Sequence, residues 1–394
     1  MKEHSVERAY LYLAAGLVIG IVAGTILHQS AVVSLLFAAT FLLLFPAAVV
    51  QAYNAKELPL TLFLVLCCAG LCLFNVLQGA KELQVSYLKK WAVFISTLLF
   101  FHVVVHIEAG ERAVFPLLFL GAAPSLLYCA AFFFLEHEVF SGGLTLGFSN
   151  PNLTGVYLMH AMLYLALLAY YTRYKLLRLL CGGLFLVSLV ILEETRCRSA
   201  MVGLAVFFLL AVVCLWLKPK RFSAPVSAFF LLLPLLFALL YLLANQIGLL
   251  SALSPEGGDL TSKSFTSRVI VWTEAMEFIG NHPLFGAYRE ISETALGQRH
   301  NIHLDVLASY GIPVFLLFAA LLHVCVLPIG EKADTPARQL ALCAFFGIMA
   351  AGIFEAGLFS GTMGLYVFSG GFLLLARFGY CRHMSPVCAE EVDA

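Results

Sequence analysis

The feature that most limits this chain is a series of apolar runs, each long enough to cross a bilayer and joined by short polar links. They fall at roughly 9–27, 31–50, 58–78, 91–106, 113–134, 153–171, 176–192, 199–217, 224–243, 304–327, 339–358 and 361–378, about twelve in all. Such runs predict helices, because hydrocarbon offers no partner for an exposed backbone N–H or C=O. The expectation is an all-α polytopic membrane protein with residues 1–394 as a single membrane domain. No repeat, low-complexity tract or second soluble domain interrupts the series. Composition agrees: 62% of residues are hydrophobic and 12% charged, against about 25% charged in soluble domains.

The formal net charge is zero, so no basic excess points to nucleic acid, and the information lies in where the cations sit. The 11 cysteines are an odd number without a CxxC pair, and most lie inside apolar runs as packing residues. Lys2 and Arg8 precede the first run, which reads as an uncleaved span. Most of the 23 Lys and Arg fall on the side of the termini, which the positive-inside rule makes cytoplasmic. Lys81, Lys89 and Lys90 violate it locally.

Three unusual connections then share the outer face: the 136–155 segment, the EETRCRS turn at 193–199, and a long polar loop at 244–303. Short outward loops disfavour arginine, so Arg196 and Arg198 either snorkel to lipid head groups or bind a substrate's phosphates. Within the long loop, Ser267-Arg268 opens an amphipathic helix with Val269, Trp272, Met276 and Ile279 on one face, stopped by Gly280 and Pro283. A helix lying on a membrane surface has that pattern, with Trp272 as a packing residue. Arg299, His300, Asn301 and His303 follow at the mouth of the next run.

This cluster suits an anionic, lipid-linked substrate. When a glycosidic bond to a diphosphate breaks, the leaving oxygens gain charge and require cations more than a general acid. Arg268 with Arg196 or Arg198 fits that requirement through bidentate contacts. An incoming hydroxyl needs a base that is neutral near pH 7, and His300 beside Arg299 is suited, with His303 as the fallback. The spacing of His300 and His303 also lets both face one way, yet no carboxylate stands at convincing ligand spacing, Glu136-His137-Glu138 being the nearest set, and no metal is expected. Pro151 fixes a turn in which Asn152 is placed to cap the next helix, with substrate contact as its second role. Glu355, ionisable at membrane depth, is a candidate partner for an arginine. Ser141-Gly142-Gly143 has no strand before it and is not a phosphate loop.

Taken in order, Pro151-Asn152, Arg198-Ser199-Ala200, Ser267-Arg268 with Trp272, Asn281-His282-Pro283-Leu284-Phe285-Gly286, His300-Asn301 with Leu304, and Tyr310-Gly311-Ile312-Pro313 resemble the O-antigen ligase and polymerase superfamily (WaaL and Wzy proteins). That resemblance implies a GT-C-type glycosyltransferase of the bacterial inner membrane, with a periplasmic site and no metal or other cofactor. It implies an undecaprenyl-diphosphate-linked glycan as donor and the lipid A core as acceptor, with inversion at the anomeric carbon. Carried over by motif, Arg268 and Arg196 or Arg198 hold the diphosphate and His300 is the base. The ligase is favoured over the polymerase by the compact chain and its single dominant loop; a protein O-glycosylating relative comes third. A lipid-linked-sugar transporter is the rival class and predicts repeats, broken helices and polar groups at the bilayer midplane.

Overall fold

The computed structural model describes residues 3–29, 31–32, 35–36, 59–79, 94–95, 97–103, 114–135, 139–140, 142–148, 150–249, 263–287, 300–355 and 365–378. Arg299, the Glu136-His137-Glu138 set, the lysines at 81, 89 and 90, most of the second expected span and part of the fourth lie outside them.

The described helices are α1 (Glu3–Ile26), α2 (Pro59–Gly79), α3 (Val114–Phe134), α4 (Pro151–Tyr171), α5 (Lys175–Glu194), α6 (Arg198–Leu217), α7 (Ala224–Gln246), α8 (Lys263–Asn281), α9 (Ile302–Lys332), α10 (Pro336–Ala351) and α11 (Leu365–Phe378). Six of them, α3 to α7 and α9, are long and apolar enough to cross a membrane, and α1, α2 and α10 contain shorter apolar stretches. The protein is therefore a multi-pass membrane protein, almost wholly helical among the described residues. α4 is buried on nearly every side and forms the centre. α5, α6 and α7 turn Leu179, Leu186, Leu209, Trp216, Phe229 and Leu240 outward, as lipid-facing helices do.

One strand pair departs from the all-α expectation. β1 (Val139–Phe140) and β2 (Gly143–Leu144) pair antiparallel, with Phe140 opposite Gly143. Gly142, at φ 77°, leads into β2 directly after this turn region, so a strand does precede the Gly-Gly pair, contrary to the expectation from sequence. A Cβ on Gly143 would run into the Thr195 carbonyl and Pro151, so only glycine lets the hairpin sit this close to both.

α6 and α10 lie antiparallel and approach closely. A Cβ on Gly203 would meet the Gly347 carbonyl at 2.8 Å, and one on Gly347 the Gly203 carbonyl at 2.7 Å. Such small-residue contacts let helices in lipid gain dispersion energy from backbone against backbone. Further along the same pair, Cys214 meets Cys343. This register carries Arg198, at the start of α6, level with the residues just beyond Ala351.

At the far end of the bundle, Tyr171 donates to the Ala337 carbonyl and Phe222 to that of Gly330. The links there carry Arg173, Lys175, Lys218, Lys220, Arg221, Lys332 and Arg338. The RCR turn and the start of α4 lie at the opposite end.

α9 is not the single span expected over 304–327. It breaks at Gly311, whose φ 86° and ψ 170° are open only to glycine. Ala308 gives its carbonyl to Ala287 N at 2.8 Å, and Ile312 N turns to the Pro283 carbonyl at 2.8 Å, so the helical ladder is cut on both sides. Pro313 has no N–H to restore it. The 302–310 segment folds back beside the longer half: the His303 ring lies 5.5 Å from that of Phe315 and 6.1 Å from that of Phe318. In a straight helix, residues 303 and 318 would be roughly 22 Å apart.

Candidate functional site

Asn301 fixes the start of α9. Its Oδ1 accepts from His303 N (3.0 Å) and Leu304 N (3.1 Å), capping the helix, while its Nδ2 donates to the carbonyls of Pro234 (2.8 Å) and Ile353 (3.1 Å). Ile302 N donates to the Gly352 carbonyl at 3.0 Å. Pro234 lies in the middle of α7. The site is therefore sunk into the bundle, roughly 18 Å of helix below the C-terminal end of α7.

The second support is aromatic. Trp272 is fully buried and packs against Phe237, Tyr241 and Phe354, its ring nearly parallel to that of Phe354 at 6.4 Å. α8 therefore docks on α7 and α9 and does not lie on the membrane surface. Its buried face is Val271, Trp272 and Ala275. Met276, expected on that face, is 39% exposed, because the face is set by the groove between α7 and α9 and not by the membrane plane. One turn before Trp272, the Arg268 guanidinium lies over the Phe354 ring at 4.7 Å.

Around Arg268 the charges converge. Burial works against its cation, Glu355 favours it, and Arg198 opposes it. Glu355 is buried and stands past the end of α10, where the sequence reading had carried the helix to 358. Cys197, between the two outer arginines, feels Glu355 and Arg268 as well, and burial raises its thiol to about 11, so it stays protonated and is not a nucleophile. His300 is half-buried with a left-handed backbone, φ 48°, and its Nδ1 has no hydrogen-bond partner among the described residues. Burial first, and Arg268 second, hold its imidazole below the usual histidine value. The neutral ring is the form that can accept a proton.

The structure thus brings together Arg198, Arg268, His300 and Glu355. It parts them from three other sequence candidates. His303 was expected to face the same way as His300, but His300 precedes the helix and the two rings diverge. His303 is 1% exposed, enclosed by Phe315 and Phe318, with neither nitrogen hydrogen-bonded among the described residues. A substrate hydroxyl cannot reach it, so the fallback base is withdrawn. Asn152 does not cap α4: Asn150 does, accepting from Asn152 N at 2.8 Å, because Pro151 occupies the first helical position. Arg196, at φ 54°, turns onto the hairpin, where a Cβ on Gly142 would meet its Nη1 at 3.1 Å. Among the described residues, no three His, Cys, Asp or Glu side chains gather as metal ligands.

Sequence reasoning missed Phe354, Tyr241 and Cys197. A Phe directly before the buried Glu355 was the one available signal, since an arginine stacked on it is brought beside the carboxylate. No curated protein matches the chain. Residues 183–319, which hold the RCR turn, Arg268, His300 and the Gly311 break, match the family model described as O-antigen ligase. Over that stretch the chain is similar to the O-antigen ligase family.

Proposed function

We propose that the protein is an O-antigen ligase, which transfers a glycan en bloc from undecaprenyl diphosphate to a hydroxyl of the lipid A core. In this reading the site opens to the periplasm, the chain sits in the inner membrane and both termini are cytoplasmic. The observation that carries it is the pairing of Arg268 and Arg198 beside a histidine held neutral.

The acceptor oxygen attacks the anomeric carbon while His300 takes its proton. The bond from that carbon to the diphosphate oxygen breaks, and the diphosphate departs with the electron pair. Arg268 and Arg198 receive the charge that develops on its oxygens. Attack from the face opposite the leaving group inverts the anomeric centre. Before donor binds, Glu355 favours the partly buried Arg268 cation against desolvation and the repulsion of Arg198. Two arginines meet the charge requirement without a divalent ion, so chelator leaves transfer unchanged in this account.

The test is reconstitution of purified protein with undecaprenyl-diphosphate glycan and lipid A core, together and separately. Glycosylated core formed only with both supports the ligase. Longer lipid-linked chains formed from donor alone identify the polymerase, which the same family includes. The break in α9 is a feature a lipid-linked-sugar transporter would share. Covalent product in detergent, where no second leaflet exists, rejects that reading.

A further inference from the structure

Arg196 stands outside the machinery above. It and Arg198 flank Cys197, which is fully buried and directs its Sγ to the Asn152 carbonyl at 3.4 Å. Among the described residues the Arg196 guanidinium makes no hydrogen bond or ion pair, and its backbone holds a left-handed conformation that few residues other than glycine adopt without strain. It overhangs a concave pocket lined by Phe140, Gly143, Asn150, Asn152 and Thr195. The Phe140 ring is 57% exposed and offers a face at the rim. Asn150 commits its Oδ1 to the α4 cap, which leaves its NH2 as a donor. The floor is rigid, since Gly143 is pressed on the Thr195 carbonyl and Pro151, and Thr195 Oγ1 is itself held by the Leu192 carbonyl at 2.7 Å.

A guanidinium that served only to snorkel would need none of this. An aromatic face suits the C–H side of a sugar ring, amides pair with neighbouring hydroxyls, and the guanidinium takes an anion in bidentate fashion. We propose that this pocket is a second saccharide subsite, which takes a sugar bearing a phosphate or carboxylate and lies apart from the diphosphate cluster. Its assignment to the glycan of the transfer reaction rests on the ligase reading; the binding itself does not.

The test uses full-length protein in zwitterionic nanodiscs and compares mannose 6-phosphate, mannose and inorganic phosphate by isothermal titration calorimetry. Mannose 6-phosphate binds about tenfold more tightly than either fragment. Arg196→Asn, which tolerates the left-handed backbone while removing the charge, abolishes the preference over mannose. Phe140→Ala abolishes the preference over inorganic phosphate, and Arg268→Gln leaves both preferences intact. Equal binding of the three probes, an unaltered Arg196→Asn, or a loss confined to Arg268→Gln overturns the subsite. If inorganic phosphate binds as well as the phosphosugar, and phosphatidylglycerol in the disc displaces both through Arg196, the pocket is a lipid head-group site and the saccharide assignment falls. Because no turnover is read, an inactive protein that still shows Arg196-dependent binding refutes the ligase reading and leaves this one standing.

Discussion

Arg268 rests on the face of Phe354, 4.7 Å from ring centre to guanidinium carbon, and the next residue along the chain is the buried Glu355. One stacking contact thus sets both the position of the cation and the distance to its counter-ion. Trp272 packs on Phe354 as well, its ring nearly parallel at 6.4 Å. Tolerance to substitution at this point is accordingly low.

Glu355 is expected to act as a positioning residue. Glu355→Gln removes the carboxylate that favours the Arg268 cation and should lower kcat about tenfold, while KM for the donor does not rise because a competing anion has gone. Steady-state kinetics on the variant check this. A rise in donor KM with kcat unchanged would show that Glu355 contacts substrate directly, and a loss of folded protein alone would make its role structural.

The pH dependence follows from His300. Its imidazole is held below the ordinary 6.5 by burial and by Arg268, so the base stays neutral at pH values where an ordinary histidine begins to charge. Activity should fall only as pH drops through that lowered value, and the acid limb of kcat/KM for the donor should lie below 6.5. The bound diphosphate then brings negative charge beside the ring and favours its protonated form. The acid limb of kcat, which reports the complex, should lie at higher pH than that of kcat/KM. Coincident limbs would place the diphosphate away from His300.

Gly311 and Asn301 test how the site is held. Gly311→Ala forces a side chain into a backbone of φ 86° and against the Leu284 carbonyl, and should cost about 1–3 kcal/mol or more. Asn301→Ala removes the cap of α9 and two bonds to neighbouring helices, with a cost of about 1–3 kcal/mol for buried groups left unpaired. Both variants should melt earlier in detergent, and both should lose transfer by more than their stability loss accounts for, since His300 adjoins Asn301. An Asn301→Ala protein with full activity would contradict this.

Much of the bundle was legible in hydropathy. The run at 176–192 became Lys175–Glu194, and 199–217 became Arg198–Leu217, because a spanning helix must announce its length in apolar residues. The break in α9 was not legible, since a glycine and a proline are each tolerated inside a membrane helix and only the Ala287 and Pro283 contacts make them a turn. Of the site, Arg268 and His300 could be found from the chemistry they suit. The choice between Arg196 and Arg198 could not, because it turns on a left-handed backbone at 196 and a hairpin contact with Gly142, while Arg198 is the one that acts on Arg268. Likewise, three-residue spacing suggested that His300 and His303 share a face. A helix that begins at Ile302 separates them.

The central claim is that two guanidinium groups and one imidazole act together on a lipid diphosphate. The most direct measurement is glycan transfer by purified Arg268→Gln, Arg198→Gln and His300→Gln, each matched to wild type for folded protein by thermal melt. The account predicts losses of about 10²-fold or more in each, with Arg196→Asn retaining kcat. Transfer at wild-type kcat in any of the first three, or its abolition in Arg196→Asn alone, would contradict it.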